Sequence, residues 1–148
     1  MPGIVGMHNH LFFFVRGNLA ADGSSNGFCV AEMIFSGPRL YLANGVTTMR
    51  TTGTLSPYAE LKLKQDIEAG SVPGPHMDVT GPYLNATPNS LAYGLTGPED
   101  ARQTVAFWAD RGVTSFKAYA HITREELSAA VKEAHKRGLK VISELVIN

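Results

Sequence analysis

His8 and His10 are the residues of this chain best spaced to do chemistry. They close the stretch Met1-Pro-Gly-Ile-Val-Gly-Met-His-Asn-His-Leu11, which reads as a short buried strand. Side chains alternate along a strand with a rise of about 3.3 Å per residue, so residues two apart share a side with roots roughly 6 to 7 Å apart. Two imidazoles so placed can converge on one divalent metal, and zinc suits imidazole nitrogen. A pair of hydrogen-bonded histidines at a strand end is the plainer reading of the same spacing. Lys117 is the next candidate. Alternation over Val113 to Tyr119 puts Ser115, Lys117 and Tyr119 on one face, while Phe116 and Ala118 suit a face covered by helices. Lys117 then points inward, where an ammonium is costly unless paired or neutralised. Arg50, Tyr119 and His121 also fall at or just past strand ends and are candidates to touch a small-molecule substrate. His76 stands at the beginning of a strand and His135 on a helix beside Glu133 and Lys136, so both read as structural.

The elements that must position these residues follow from punctuation and periodicity. Helix-like apolar spacing over 30–43 is interrupted at Ser36-Gly37-Pro38 and stops at Asn44-Gly45. The β-branched run 46–52 is a strand, 58–69 a helix, 76–83 a strand and 98–111 a helix that Thr96 or Gly97 begins. After the strand 113–119, Thr123 and Glu126 form a capping box for a helix ending at Gly138, and 139–145 is the last strand. Residues 16–27 and 85–97, rich in Gly, Asn, Ser, Thr and Pro, are loops, with Phe12 to Phe14 as an apolar wall at the root of the first. Strands alternating with helices of 10 to 15 residues predict an α/β fold with a parallel sheet, about five strands and four helices.

Composition removes several classes of function. With 13 basic and 13 acidic residues and 44% hydrophobic content, the chain has the balance of a soluble globular protein and no cationic footprint for nucleic acid. Cys29 is the only cysteine, so neither an internal disulfide nor a cysteine-based zinc cluster can form. The apolar run Leu11 to Val15 is too short to span a membrane, and no basic start precedes it as a signal peptide requires. The compartment is left open, with the cytoplasm as default.

Pro2-Gly-Ile-Val-Gly-Met-His-Asn-His-Leu11 resembles the opening strand of the amidohydrolase superfamily, in which an apolar strand runs into His-x-His at the mouth of a (β/α)8 barrel. Asn44-Gly-Val-Thr-Thr-Met-Arg50, Gly70-Ser-Val-Pro-Gly-Pro75, Gly112-Val-Thr-Ser-Phe-Lys-Ala-Tyr119 and Glu133-Ala-His-Lys-Arg-Gly138 resemble further family signposts, in the family's order. By eye the nearest subgroup holds imidazolonepropionase-like and prolidase-like enzymes. The resemblance implies a partial (β/α)8 TIM barrel over 1–148, and a metal-dependent hydrolase acting on amide, cyclic amide or dipeptide-like carbon-nitrogen bonds. It implies one or two divalent ions, zinc by preference, held by His8, His10 and Lys117, with Lys117 carbamylated so that it offers oxygen.

The departures from the family are as informative. Its further ligands, histidines on the fifth and sixth strands and an aspartate on the eighth, have no counterpart here; the fifth-strand position falls near Glu144. No residue is therefore assigned as catalytic acid or base, and a whole barrel needs about 250 residues. The expectation is an incomplete, inactive portion of such an enzyme. The competing expectation is a non-catalytic α/β half-barrel that binds a partner or self-associates into a homo-oligomer to cover its open strands.

Overall fold

A computed structural model describes residues 2–15, 29–86 and 94–143. The expected loop at 16–27, most of the one at 85–97 and Glu144 lie outside the described residues. The elements in order are β1 (Ile4–Asn9), β2 (Phe12–Val15), β3 (Cys29–Glu32), α1 (Ser36–Ala43), β4 (Val46–Thr51) and α2 (Pro57–Glu68). They continue with β5 (His76–Asp78), β6 (Thr80–Leu84), α3 (Pro98–Ala109), β7 (Ser115–Ala118), α4 (Arg124–Lys136) and β8 (Lys140–Ser143).

The long strands pair in parallel, β1-β4-β5 in one sheet and β6-β7-β8 in another. β5 and β6 are the two halves of the strand expected at 76–83, parted at Val79. The first half pairs with β4 and the second with β7, so the segment hands the sheet from one neighbour to the next. Side chains close the seam: the Thr80 amide donates to Thr51 Oγ1 at 3.0 Å, the Thr80 hydroxyl bonds the Thr51 carbonyl, and its oxygen lies 2.8 Å from Ser115 Oγ. A parallel bridge between Thr54 and Pro82 continues the seam toward the C-terminal ends.

The expectation of helix over 30–43 is corrected at its front. Residues 29–32 form β3, antiparallel to β2, with Phe12 opposite Glu32 and Val15 opposite Cys29. The aromatic and β-branched run at 12–15 outweighs the weak helical spacing of 30–35. The triplet read as an interruption is the helix start: Pro38 lies in the first turn of α1, where a missing N-H breaks no helical bond. Elsewhere the helices fall within a residue or two of expectation. α4 carries the full capping box, with Thr123 Oγ1 accepting the Glu126 amide at 3.3 Å and Glu126 Oε2 accepting the Thr123 amide at 3.0 Å.

The core lies between the sheets and the helix layer, where Met49, Met77, Val79, Val105, Phe116, Ala130 and Ala134 are sealed from solvent. Phe116 packs so closely on Gly81 that a Cβ there would stand 2.7 Å from its ring, and Trp108, expected in the core, is half-buried against Tyr58. β1 is poorly covered: Ile4, Val5 and Met7 are each more than half exposed, and Phe35 and Leu40 are exposed as well. Among the described residues no helix is long and apolar enough to cross a membrane.

Candidate functional site

Parallel strands that enter side by side deliver their last residues to one rim, and a cavity of about 310 Å³ opens there. β1 and its end supply His8 and His10, β7 and its end supply Lys117 and Tyr119, and β6 supplies Tyr83. Phe12 and Phe13 of the hairpin, Tyr41 of α1 and Thr52 just past β4 complete most of the wall. His8 and His10 stand with ring centroids 5.3 Å apart at an interplanar angle of 78°. The pairing of β1 with β4 shifts register between Gly6 and Asn9, so the strand is irregular where His8 leaves it.

The backbone around the pair is fixed from three sides. The Tyr41 hydroxyl donates to the His10 carbonyl at 3.1 Å, the Thr52 amide to the Asn9 carbonyl at 3.0 Å, and Asn9 Nδ2 to the Arg50 carbonyl at 3.2 Å. Lys117 is only 5% exposed, although it lies between the fully buried Phe116 and Ala118. Its strand is buried on both faces, so the helix layer takes the even-numbered side chains and the cavity receives Lys117. Among the described residues no three His, Cys, Asp or Glu gather as a ligand cluster. The donor set facing the cavity is therefore two imidazoles and one primary amine. That set fits part of a divalent metal's needs: imidazole nitrogen is a zinc ligand, and an amine converted to a carbamate adds oxygen.

The other two residues expected to touch substrate stand apart from this wall. Arg50 is one residue short of the end of β4, and its buried Nε has no hydrogen-bond partner among the described residues. His121 is exposed, and its backbone amide donates to Asn85 Oδ1 at 2.9 Å. Asn85 is fully buried, and its carbonyl also accepts the Leu95 amide at 2.7 Å, so it ties the chain before α3 to the turn beyond β7. His76 and His135 are both exposed, away from the cavity.

Sequence reasoning passed over Tyr83, Tyr41 and Thr52. Tyr83 was within reach, because it ends a strand on the rim side; Tyr41 was not, because nothing in a helix sequence says which turn will meet His10. Glu60 was also missed. It is 2% exposed on α2, and burial pushes its carboxyl up to about 7 despite hydrogen bonds with Thr54 and Thr51; the charge of Glu32 adds to the rise. A wider groove of about 610 Å³ between α3 and α4 is an open furrow whose cations, Arg102 among them, stand close to Glu99, Glu125 and Glu133.

Known proteins can be set beside this geometry. The model of the amidohydrolase family matches residues 1–143. A candidate prolidase from Bifidobacterium longum is 30% identical with a TM-score of 0.72; the match covers 97% of this chain and 35% of that one. The crystal structure of an amidohydrolase, 22% identical, gives a TM-score of 0.73 over 97% of this chain and 43% of its own. Bottromycin amidohydrolase, 21% identical, gives 0.69 over 95% and 27%. The chain thus spans less than half the length of each of these structures. No curated protein resembles it closely enough to count as a match.

Proposed function

Because the chain belongs to the amidohydrolase family, we propose that His8, His10 and Lys117 hold a divalent metal for the hydrolysis of carbon-nitrogen bonds in a small-molecule substrate. The observation that carries this reading is the one cavity lined by all three. The parallel strands and their helices are then part of a (β/α)8 barrel, whose chemistry sits at the C-terminal strand ends. His8, His10 and Lys117 would hold the metal, and the chemistry a zinc ion would supply there is hydroxide near neutral pH and polarisation of a carbonyl.

The chain's own residues do the rest. His8 and His10 offer imidazole nitrogens, and the Tyr41 hydroxyl, bonded to the His10 backbone carbonyl, fixes the main chain from which that side chain leaves. Lys117 would enter as a carbamate: the amine nitrogen bonds the carbon of carbon dioxide, its proton is lost to solvent, and the product offers oxygen as a ligand. Tyr119 contacts substrate from the wall, while Arg50 and His121 stand outside that wall and could reach only a substrate that extends beyond the cavity. A cavity of about 310 Å³ has the size of a small-molecule site.

Among the described residues two imidazoles and a carbamate make three ligands, which would leave a two-metal site incomplete. A residue to accept the water's proton is also unassigned, and such help is worth about 10²- to 10⁴-fold. The 148-residue chain by itself should therefore bind zinc weakly and show no measurable turnover. The test is a panel of N-acyl amino acids, dipeptides and lactams offered to zinc-loaded protein. Metal-dependent turnover would overturn the expectation of inactivity and make Glu144 the first residue to mutate as a further ligand. A second reading, a non-catalytic module that self-associates, rests on the exposed apolar residues Ile4, Val5 and Met7 of β1.

A further inference from the structure

Glu60, in the first turn of α2, is buried and takes no part in holding a metal. Its carboxyl is hydrogen-bonded to the side chains of Thr51 and Thr54. Both hydroxyls already serve as acceptors: Thr51 Oγ1 takes the Thr80 amide at 3.0 Å, and Thr54 Oγ1 takes the Ser56 amide at 3.1 Å. A hydroxyl has one hydrogen to give, which here goes to Glu60, so two amide-hydroxyl chains converge on one carboxyl. We infer that Glu60 is a positioning residue for the candidate metal site: by clasping both ends of the segment 51–54 it fixes Thr52, and through Thr52 the main chain on either side of His8. The clasp itself needs no metal, whereas its consequence for metal holding rests on the hydrolase reading above.

Thr51, Thr52 and Thr54 are all buried, so the segment depends on protein partners for its polar groups. Between the clasped ends, the Thr52 amide donates to the Asn9 carbonyl at 3.0 Å and the Thr52 hydroxyl to the Met7 carbonyl at 3.4 Å. Those carbonyls belong to the two residues that flank His8. They lie where the pairing of β1 with β4 shifts register, so the strand ladder alone does not hold this stretch. Gly53 lies against Tyr83 and Thr54 bridges Pro82, which ties the same segment to the β6 side of the cavity. Packing alone does not account for the acid. Glu60 Oε2 is buried with no hydrogen-bond partner among the described residues, and an unpaired buried oxygen costs stability. An apolar residue would pack there without that cost, so the carboxyl's contribution lies in its grip on the two threonines. Burial, and the charge of Glu32 on β3, bring the carboxyl to about 7 against those hydrogen bonds. The other charged groups around α2 are engaged elsewhere: Lys62 with Asp66, Lys64 with Glu68 and the Met77 carbonyl, His76 of β5 with Glu68, and Asp78 of β5 with Thr114. β6 carries no charge, and alternation turns Arg50 of β4 away from the side of Thr51.

The test combines amide hydrogen exchange, NMR and zinc calorimetry on the 148-residue protein and its variants Glu60→Gln, Glu60→Leu and Thr54→Val. Glutamine keeps an acceptor for both hydroxyls, so Thr52 should exchange as in the wild type and zinc affinity should hold. Glu60→Leu and Thr54→Val should quicken exchange at Thr52 by roughly three- to tenfold relative to the amides of α4, and weaken zinc by a similar factor. Thr54→Val removes a single hydroxyl and serves where Glu60→Leu fails to fold. In the wild type the Ser56 and Thr80 amide signals, each one hydroxyl away from the carboxyl, should titrate with a midpoint near 7, and in Glu60→Gln they should stay flat. Unchanged Thr52 exchange in both Glu60→Leu and Thr54→Val, quickening spread evenly over the chain, a glutamine variant as impaired as the leucine one, zinc affinity indifferent to the variants, or amide signals that titrate alike with and without the carboxyl would each overturn the proposal. Should the wild type bind no zinc, the hydrolase reading fails by itself, and exchange at Thr52 still upholds or overturns the clasp.

Discussion

At the scale of single residues, Glu60 and Gly53 carry the clearest consequences. The Glu60 carboxyl is raised from 4.5 to about 7, chiefly by burial. The folded state therefore holds the proton more tightly than the unfolded chain. That contribution to stability is fully present below pH 4.5 and is lost as pH rises through 7. Its size is on the order of 3 kcal/mol, since each tenfold gain in proton affinity on folding is worth about 1.4 kcal/mol. Glu99 works in the opposite sense, held down to about 2 by hydrogen bonds from Arg102 and Gln103, but its effect is lost only as pH falls toward 2. The two windows do not overlap, so urea melts between about pH 5 and 8 read Glu60 without Glu99. Glu60→Gln should flatten the fall in stability over that range; a slope identical to wild type would remove the buried acid from the account. Gly53 has φ +81° and no room for a Cβ behind Tyr83. Gly53→Ala should cost about 1 to 3 kcal/mol in the same melts and shift the Tyr83 ring signals, and a neutral substitution would mean that ring is not pinned.

At the scale of elements, helix α4 offers the sharpest test. Its capping box satisfies amides at both ends of the Thr123–Glu126 exchange, so Thr123→Ala should destabilise the protein by about 0.5 to 2 kcal/mol. Hydrogen exchange should quicken first at residues 124–127, and uniform quickening across α3 and α4 would contradict a local cap. This helix was legible in the sequence because every signal for it is local: a cap, an acidic first turn, and glycine at 138 with φ +71°. The hairpin of β2 and β3 was not, because its two strands are joined by 13 intervening residues and a strand is defined by a partner the local pattern does not name. The split of 76–84 into β5 and β6 was hidden for the same reason, since only pairing shows that Val79 is where one neighbour gives way to another. The site followed this division. His8, His10, Lys117 and Tyr119 could be placed by alternation along their own strands, whereas Tyr41 and Phe12 reach the cavity through contacts between distant segments.

At the scale of the whole molecule, the unevenly covered sheet decides behaviour in solution. Ile4 and Val5 are each 58% exposed and Met7 59%, on a strand paired with only one neighbour among the described residues. Unpaired strand edges with apolar side chains recruit further strands. The 148-residue protein should therefore self-associate at micromolar concentration, and Val5→Lys should shift sedimentation toward monomer; a wild-type monomer with a sharp two-state melt would contradict this. The central claim, however, is that His8, His10 and Lys117 together form a metal-holding rim on an amidohydrolase scaffold. The most direct measurement is a calorimetric zinc titration of the wild-type chain against the His8→Ala/His10→Ala variant, after exhaustive dialysis and with folding checked by circular dichroism. The account predicts weak zinc binding by the wild type and its loss in the variant; zinc affinity unchanged by removal of both imidazoles would contradict it.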